Sequence, residues 1–535
     1  MENIELSLFV SRMEAICAEM GSVLKRTAFS PNIKDRLDFS CALFDAQGAL
    51  CAQAAHIPVH LGSMAFAMVG IISRFEWQEG DVVILNDPFL GGTHLPDVTV
   101  LLPVFSEQKL AAFVVNRAHH ANIGSDSPGS MPVSSSLHEE GLIIAPQYLY
   151  RQGQLNRELA GILQKLSAGT PNSQPVVVGV ERDPEPGGDF AAQLSALHTG
   201  KQRLQNLIAM LGYDAFQSAL EELNRYGENL AAAALEKIPA GTYEFADLLD
   251  DDGLGNKCLP IKLSLSISPQ QIIADFQGTA AQVKGNVNCP LSVSAAAVYY
   301  VFRCLMPEHT PACAGIFRRI FIKVPEASLL NASYPAAVVA GNVETSSRIV
   351  DVVLGALQQA LPEQIPAASQ GTMNNIAMGY RAGTHGESSW DYYETLAGGM
   401  GAGAHNHGLS AVHTHMTNTL NTPVESLELH YPLRVVAYTI RRGSGGKGLH
   451  RGGDGLTRVY EFLQPTRLSI LSERRSSAPW GLAGGAAALP GENLLDGQNL
   501  PGKCSLSVRA GQHLTINTPG GGGWGKPISS EHEIS

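Results

Sequence analysis

Two spacings of hydrophobic residues alternate along this chain. Near the amino terminus, Leu6, Phe9 and Met13 begin a series at helical intervals that predicts an amphipathic helix over residues 3–26. Residues 38–45 (DFSCALFD) instead alternate like a strand, and the strand ends in a carboxylate. Because both patterns recur through the sequence, we expect an α+β fold.

The clearest strand pattern lies between residues 86 and 120. Residues 98–105 (VTVLLPVF) and 110–116 (LAAFVVN) are rich in β-branched and aromatic residues, and the polar turn 106–109 separates them. We therefore predict a β-hairpin. If Phe105 pairs with Leu110, the register places Asp97 opposite Ala118 at the open end.

In that register Asp97 also lies close to His119, since diagonal neighbours on paired strands are about 5–8 Å apart. His94 precedes them in a glycine-led loop, GGTH. Two imidazoles and a carboxylate at one strand end are typical of a catalytic metal site that keeps a position for water. The alternative is ordinary structure: solvated histidines near a turn, and an aspartate that caps backbone N–H groups.

The rest of the chain predicts further units. Residues 189–211 and 214–237 have helical spacing and predict a helical hairpin, and glycine punctuates β-type runs after about residue 430. We expect several domains with mixed sheets, because 535 residues exceed what one hydrophobic core supports. The predicted divisions are an N-terminal metal-site domain (1–180), the helical hairpin (181–240), a central α+β domain (241–430) and a β-rich, glycine-punctuated C-terminal region (431–535).

Composition narrows the classes of function. The net charge is −12 at pH 7, and no basic stripe with interleaved aromatic residues is found, which argues against nucleic-acid binding. Only 16% of residues are charged, which indicates that surface is buried against a partner subunit. The eight cysteines form no Cys-x-x-Cys pair, and neither a secretory signal nor a membrane span is evident, so we expect a cytoplasmic protein with reduced thiols.

Three other patterns bear on the chemistry. GGGGWGKP at 520–527 lacks the Ser or Thr and the following helix that a phosphate loop needs, so we expect no nucleotide site in this chain. The pairs His405/His407 and His413/His415 could chelate a metal from one strand face, or could be polar residues at a β-edge near a subunit contact. Glu140 is a candidate base because its loop closely follows the predicted hairpin.

Many ordered motifs resemble the hydantoinase B/oxoprolinase family. The resemblance covers nearly the whole length and includes NDPFLGGTHLPDVTV (86–100), DFSCALFD (38–45), NRAHHANIG (116–124), EEGLIIAP (139–146), GTYEFADLLDDDG (241–253), DFQGTAAQVKGNVN (275–288), GNVETSSRIVD (341–351), VHTHMTNT (412–419), RRGSGGKGLHRGGDG (441–455) and TPGGGGWG (518–525).

The resemblance implies one half of an ATP-dependent amidohydrolase that acts on a small cyclic amide. A separate A-type subunit would bind ATP and Mg²⁺ and phosphorylate the carbonyl oxygen, and this B-type chain would hydrolyse the activated intermediate. A hetero-oligomer such as a heterotetramer is expected. The alternatives are a subunit of an ATP-dependent ketone carboxylase, and a non-catalytic scaffold for the A-type subunit.

The resemblance also implies a ligand set. His94, Asp97 and His119 fall on metal-ligand positions, and Asp38 is the best match for a further ligand. His120 is a second candidate for one ligand place, or for a base alongside Glu140. A mixed set of nitrogen and oxygen ligands suits Zn²⁺, Mn²⁺ or Fe²⁺ and does not choose among them.

Overall fold

The fold was derived from a computed structural model that describes residues 3–55, 57–167, 185–381 and 389–527. The predicted α+β class is confirmed, because helices and several separate sheets alternate along the chain. None of the described helices is long and apolar enough to cross a membrane. The helices are α1 Asn3–Thr27, α2 Pro31–Lys34, α3 Pro58–Ile72, α4 Arg157–Ser167, α5 Gly188–Leu211, α6 Tyr213–Leu235, α7 Leu291–Cys304, α8 Ser346–Leu357 and α9 Val424–His430.

The strands are β1 Phe39–Asp45, β2 Leu50–Ala55, β3 Val82–Leu85, β4 Asp97–Ser106, β5 Lys109–His119, β6 Gln147–Arg151, β7 Gln154–Leu155, β8 Gly241–Asp251, β9 Lys257–Ile267, β10 Ile272–Asp275, β11 Ile320–Lys323, β12 Asn375–Tyr380, β13 Trp390–Glu394, β14 Leu433–Arg441, β15 Gly455–Phe462, β16 Thr466–Leu471, β17 Glu492–Leu495, β18 Gln498–Leu500, β19 Lys503–Val508 and β20 His513–Asn517. In the part of the chain that the structure describes, they form four sheets, in the orders β2-β1-β5-β4-β3-β6-β7, β11-β10-β9-β8, β13-β12-β16-β19 and β14-β15-β20-β17-β18.

The first sheet is covered on both faces. Val98 and Val114 face the core that α1 and α5 close, whereas Phe113 and Leu101 face α3 on the other side. A sheet buried on both faces needs apolar side chains at successive positions, which is why VTVLLPVF is continuous rather than alternating. The helices thus fix the central β4–β5 pair in place.

The predicted hairpin is confirmed with one correction to its register. Phe105 pairs with Leu110 as expected, but the next pair is Val104 with Ala112, so the ladder shifts by one residue. An extra residue in one strand is a β-bulge, and it moves every later pair. Asp97 therefore lies directly opposite His119 rather than opposite Ala118.

The helical hairpin is also confirmed, as α5 and α6 joined at Gly212. It packs on α1 and on the β4–β5 pair, and one hydrophobic core contains residues from Leu6 to Leu471. A second core is built from residues between Ile376 and Ile516. Since β12 and β13 share a sheet with β16 and β19, this sheet spans the expected boundary at residue 430; the four domain divisions stay a prediction.

The glycines of the C-terminal region serve close backbone packing. Gly521 donates to the Gly453 carbonyl at 2.9 Å and accepts from the Gly446 N–H at 2.9 Å. A Cβ atom at Gly452 would lie 1.8 Å from the Gly521 carbonyl oxygen, which no side chain tolerates. The TPGGGGWG run is therefore used for contact between chain segments.

Buried charges join the two cores. Lys503, the first residue of β19, contacts Glu473, and the other oxygen of Glu473 lies 3.4 Å from the guanidinium of Arg348 on α8. The same oxygen accepts from the Asp250 N–H at 2.8 Å. All three charged side chains are completely buried, so each depends on the others for compensation.

Candidate metal centre

The open end of the β4–β5 hairpin brings the predicted residues together. Asp97 is the first residue of β4 and His119 the last of β5, and they face each other in the ladder. His94 arrives from the loop before β4, where Gly91 has φ +117° and a Cβ atom at Gly92 would lie 2.4 Å from the Asn86 carbonyl oxygen. Glycine is required at both positions to fold the loop back over the strand end.

The three side chains converge on one point. His94 Nε2 is 3.1 Å and His119 Nδ1 is 3.2 Å from Asp97 Oδ1. One ligand atom from each residue lies within 4.8 Å of the others, and the residues are 0%, 1% and 3% exposed for His94, Asp97 and His119. Among the described residues, this is the one set of three or more His, Cys, Asp or Glu that could hold a metal ion.

Two buried polar atoms of the centre lack hydrogen-bond partners, which fits a metal site. His94 Nε2 and Asp97 Oδ1 are buried and have no partner in hydrogen-bonding geometry among the described residues, although they are close together. Buried polar atoms without partners are costly and uncommon. Two imidazoles and one carboxylate would leave a fourth position of a tetrahedral site free.

The orientation of His94 supports this fit. Its Nδ1 lies 3.3 Å from the Val339 carbonyl oxygen, which can only accept a hydrogen bond. Nδ1 therefore carries the proton when the ring is neutral, and the lone pair of Nε2 faces the other two side chains. Burial is the largest influence on the pKa of His94 and lowers it, but the charge of Asp97 and the hydrogen bonds to Asp97 and Val339 together outweigh burial and raise the pKa overall.

Three residues that the sequence patterns did not single out hold the second oxygen of Asp97. Oδ2 accepts from Thr93 Oγ1 at 2.6 Å and lies 3.3 Å from His60 Nε2 and 3.4 Å from Asn342 Nδ2. Burial alone would raise the pKa of Asp97, but His94 and His60 hold it well below its ordinary value. Asp97 thus stays ionised, with Oδ1 turned towards the two other ligands.

An aromatic ring supports His119. Tyr393 on β13 stacks against the imidazole with a centroid distance of 4.9 Å and an interplanar angle of 12°. The guanidinium of Arg36 lies 4.8 Å from the centroid of the Tyr393 ring and donates to the Tyr393 carbonyl oxygen at 2.9 Å. Neither residue carried a signal in the sequence, because β13 is far from the hairpin along the chain.

Asp38 adjoins the centre but lies outside the group of three. Its carbonyl oxygen accepts from the His119 N–H at 3.0 Å, and its carboxylate is 4.0 Å from the Arg36 guanidinium. The Asp38 charge also raises the pKa of His94, but less than Asp97 does. A role for Asp38 as a further ligand stays a prediction.

His120 is directed away from the centre. Its Nε2 lies 2.9 Å from Gln193 Oε1, and its ring stacks on Phe190 at 4.1 Å, both on α5. Successive residues along an extended chain point to opposite faces, so His120 faces α5 whereas His119 faces the centre. Burial lowers the pKa of His120. The structure does not bring this ring into the ligand group, and its role as a base or ligand stays a prediction.

Glu140 is completely buried next to the segment that orients His94. Its Oε1 accepts from Ser134 Oγ at 2.8 Å and from the Val338 and Val339 N–H groups at 2.9 and 3.1 Å. Its Oε2 has no partner among the described residues. Burial raises the pKa of Glu140 to about 7, so this carboxyl holds a proton just below neutrality.

Replacing Glu140 by glutamine should change how stability depends on pH. The folded-state pKa is raised above the ordinary 4.5, so proton uptake stabilises the wild type fully below pH 4.5, and this contribution is lost as pH rises through about 7. Glu140→Gln cannot titrate. Its free energy of unfolding relative to wild type should therefore rise by up to about 3 kcal/mol between pH 4.5 and 8. Urea unfolding at pH 5 and pH 8 measures this, and an equal difference at both values would contradict it.

The second histidine cluster does not form a chelating strand face. Residues 405–411 have no strand, and Val412 makes only an isolated bridge, so the expected placement of both rings on one strand face is wrong. His407 Nδ1 accepts from the Arg451 N–H at 2.9 Å, whereas His415 Nδ1 lies 3.4 Å from the Tyr300 hydroxyl. Near residue 400 the backbone packs closely against other segments instead of forming a strand, because a Cβ atom at Gly399 would lie 2.1 Å from the Gly453 carbonyl oxygen.

Comparison with known proteins adds to this geometry. The chain is 39% identical to 5-oxoprolinase 1 of Arabidopsis thaliana, covering 98% of this chain and 42% of that protein, so it spans about two fifths of the length of this relative. It is 32% identical to a putative B-type subunit of a D-/L-hydantoinase of Pseudomonas sp. (strain NS671), covering 99% of this chain and 91% of that relative.

A solved structure is similar over the same length. The crystal structure of the ATP-dependent caprolactamase from Pseudomonas jessenii matches with a TM-score of 0.87 and 26% identity, covering 98% of this chain and 91% of that chain. The family model described as Hydantoinase B/oxoprolinase matches residues 2–527. With that match over almost its entire length, the chain belongs to the hydantoinase B/oxoprolinase family.

Proposed function

We propose that this chain is the hydrolytic, B-type half of an ATP-dependent enzyme that opens a small cyclic amide. The observation that carries the proposal is the convergence of His94, Asp97 and His119, in which His94 Nε2 and Asp97 Oδ1 face each other without a hydrogen-bond partner among the described residues. The relatives named as a 5-oxoprolinase, a hydantoinase and a caprolactamase support cyclic amides as the substrate class.

Each residue of the centre would have a different role. His94, Asp97 and His119 would hold a divalent metal, which lowers the pKa of bound water towards about 7 and supplies a nucleophile at neutral pH. Thr93 and His60 keep Asp97 turned towards the centre. Glu140 holds a proton just below neutrality and is linked to His94 through the N–H and the carbonyl of Val339.

Activation of the substrate is assigned to a partner. An amide carbonyl resists attack by water, and phosphorylation of its oxygen makes the carbon electrophilic. This chain has no phosphate loop, and the hydantoinase relative is named as one subunit of its enzyme, which supports an A-type subunit that binds ATP and Mg²⁺. We propose a hetero-oligomer of the two chains.

The test is to purify the chain with a co-expressed A-type subunit and assay ATP consumption and ring opening. The substrates are N-methylhydantoin, 5-oxoproline and caprolactam. ATP-dependent ring opening that requires both chains and one metal ion per B-type chain is the expected result. Consumption of a ketone that requires bicarbonate would favour the carboxylase alternative. Full activity in a chain shown to lack metal would favour the scaffold alternative.

A further inference from the structure

We propose that residues 338–344 (VVAGNVE) form the positioning element of the metal centre, and that Asn342 is its main positioning residue. This inference rests on the proposed metal centre and goes beyond it, because it assigns roles to residues outside the three ligands. The segment lies between the second sheet and α8, about 220 residues after His119 in the chain. It is linked to each of the three ligand side chains in a different way.

The first link orients His94. The Val339 carbonyl oxygen lies 3.3 Å from His94 Nδ1, and the N–H of the same residue donates to Glu140 Oε1 at 3.1 Å. Glu140 also accepts from the Val338 N–H and from Ser134. The residue whose carbonyl selects the His94 tautomer is therefore also held, through its N–H group, by a buried carboxyl.

The second link reaches Asp97 directly. Asn342 is 3% exposed, and its Nδ2 lies 3.4 Å from Asp97 Oδ2. A carboxylate only accepts hydrogen bonds, so the amide nitrogen must face Asp97 and Oδ1 must point elsewhere. That Oδ1 is buried and has no partner among the described residues. Asn342 thus gives up one hydrogen bond in order to donate to Asp97.

The third link supports His119 through two intermediates. Glu344 Oε1 accepts from Asn375 Nδ2 at 2.7 Å, and Asn375 Oδ1 accepts from the Tyr393 hydroxyl at 2.7 Å. Tyr393 is the ring that stacks on His119. The chain of contacts sets the plane of Tyr393 and with it the plane of the imidazole.

The backbone of the segment explains how one short stretch makes these links. Gly341–Thr345 is a π-helical turn, a rare conformation that holds an extra residue and occurs mostly at functional sites. The N–H groups of Ala340 and Gly341 both donate to the Asn286 carbonyl oxygen at 3.0 Å. A Cβ atom at Gly341 would lie 1.9 Å from the Asn288 carbonyl oxygen, so glycine is needed there. The turn is anchored on residues 286–288 and presents Asn342 and Glu344 to the centre.

Substitution of Asn342 tests the inference. Asn342→Leu keeps the volume and removes the donor to Asp97. Loss of a group that orients a metal ligand weakens metal binding by about 10- to 100-fold, so the Zn²⁺ Kd should rise by that factor in competition with a chromophoric chelator. The visible absorption spectrum of the Co²⁺-loaded variant should also change shape, which loss of stability alone would not produce.

A matched control distinguishes the loss of a group that positions Asp97 from a general loss of stability. Asn224 on α6 is also 3% exposed, donates to the Leu220 carbonyl oxygen at 3.3 Å and lies outside the centre. Asn224→Leu should keep the wild-type Zn²⁺ Kd within about twofold, whatever it costs in stability. If Asn342→Leu also keeps the wild-type Kd and Co²⁺ spectrum, the role of Asn342 is overturned. If the wild type itself binds no metal, the proposed function fails instead.

Tyr393 tests the third link independently. Tyr393→Phe keeps the stacked ring and loses the hydrogen bond to Asn375, whereas Tyr393→Leu loses both. We expect a graded rise in the Zn²⁺ Kd from wild type to Tyr393→Phe to Tyr393→Leu. A Tyr393→Phe protein with the wild-type Kd and Co²⁺ spectrum would overturn the link through Asn375 and Glu344.

Discussion

His94→Ala is expected to purify without the bound metal and to lose ring-opening activity by at least about 10³-fold, or about 4 kcal/mol of barrier. The remaining carboxylate and single imidazole offer two ligands where a catalytic site of this type uses three. The small cavity left by the ring also exposes Asp97 Oδ1 to solvent instead of to a cation. Metal analysis of the purified chain and the ATP-dependent assay with the A-type subunit measure both effects.

The control is His407→Ala, which removes an exposed imidazole that accepts a hydrogen bond from the Arg451 N–H. This variant should retain the wild-type metal content and activity. Unchanged metal content in His94→Ala would contradict the proposed ligand set, even if activity fell.

Lys503→Met is expected to lower the free energy of unfolding by about 3–5 kcal/mol. The ammonium group compensates Glu473, and both side chains are completely buried where the second core meets α8. Removing the cation leaves Glu473 with Arg348, which Asp351 also approaches at 3.9 Å. Because removal of one partner leaves the buried Glu473 charge with less compensation, urea unfolding monitored by fluorescence should show a much lower midpoint.

Arg203→Met is the matched exposed substitution. Arg203 forms a bidentate pair with Glu19 on the surface between α5 and α1. Solvent screens such a pair, so the free energy of unfolding should hardly change. If both substitutions had equal effects, burial of the Lys503–Glu473 pair would not explain its contribution to stability.

The hairpin was predictable because its signals are local. β-Branched residues, a polar turn and a glycine loop are visible in a window of about 35 residues, and together they placed His94, Asp97 and His119 near one another. The register was wrong by one residue because a bulge next to Ala111 depends on packing of both faces and not on the alternation of the strand itself. The predicted proximity of Asp97 and His119 was still correct, because diagonal and directly opposed residues on paired strands both lie close together.

The rest of the centre could not be predicted from spacing. His60 lies in an apolar window that is typical of buried structure, and its contact with Asp97 forms only when α3 covers the sheet. Asn342 and Tyr393 approach from elements more than 200 residues away. Asn342 entered only as part of the motif GNVETSSRIVD in a family resemblance, and Tyr393 lies in none of the motifs that carry the resemblance. A short-range pattern can identify ligands, but the groups that orient them depend on tertiary packing.

The burial of the centre has a consequence for how the proposed metal would enter the protein. With His94, Asp97 and His119 at most 3% exposed, an ion held there can exchange with the medium only during a transient opening of the structure. Because binding of the ion and folding of the chain are coupled, the ion captured is the one available while the chain folds. The metal content of a preparation should therefore record the growth medium, and chelators should strip the folded protein only slowly.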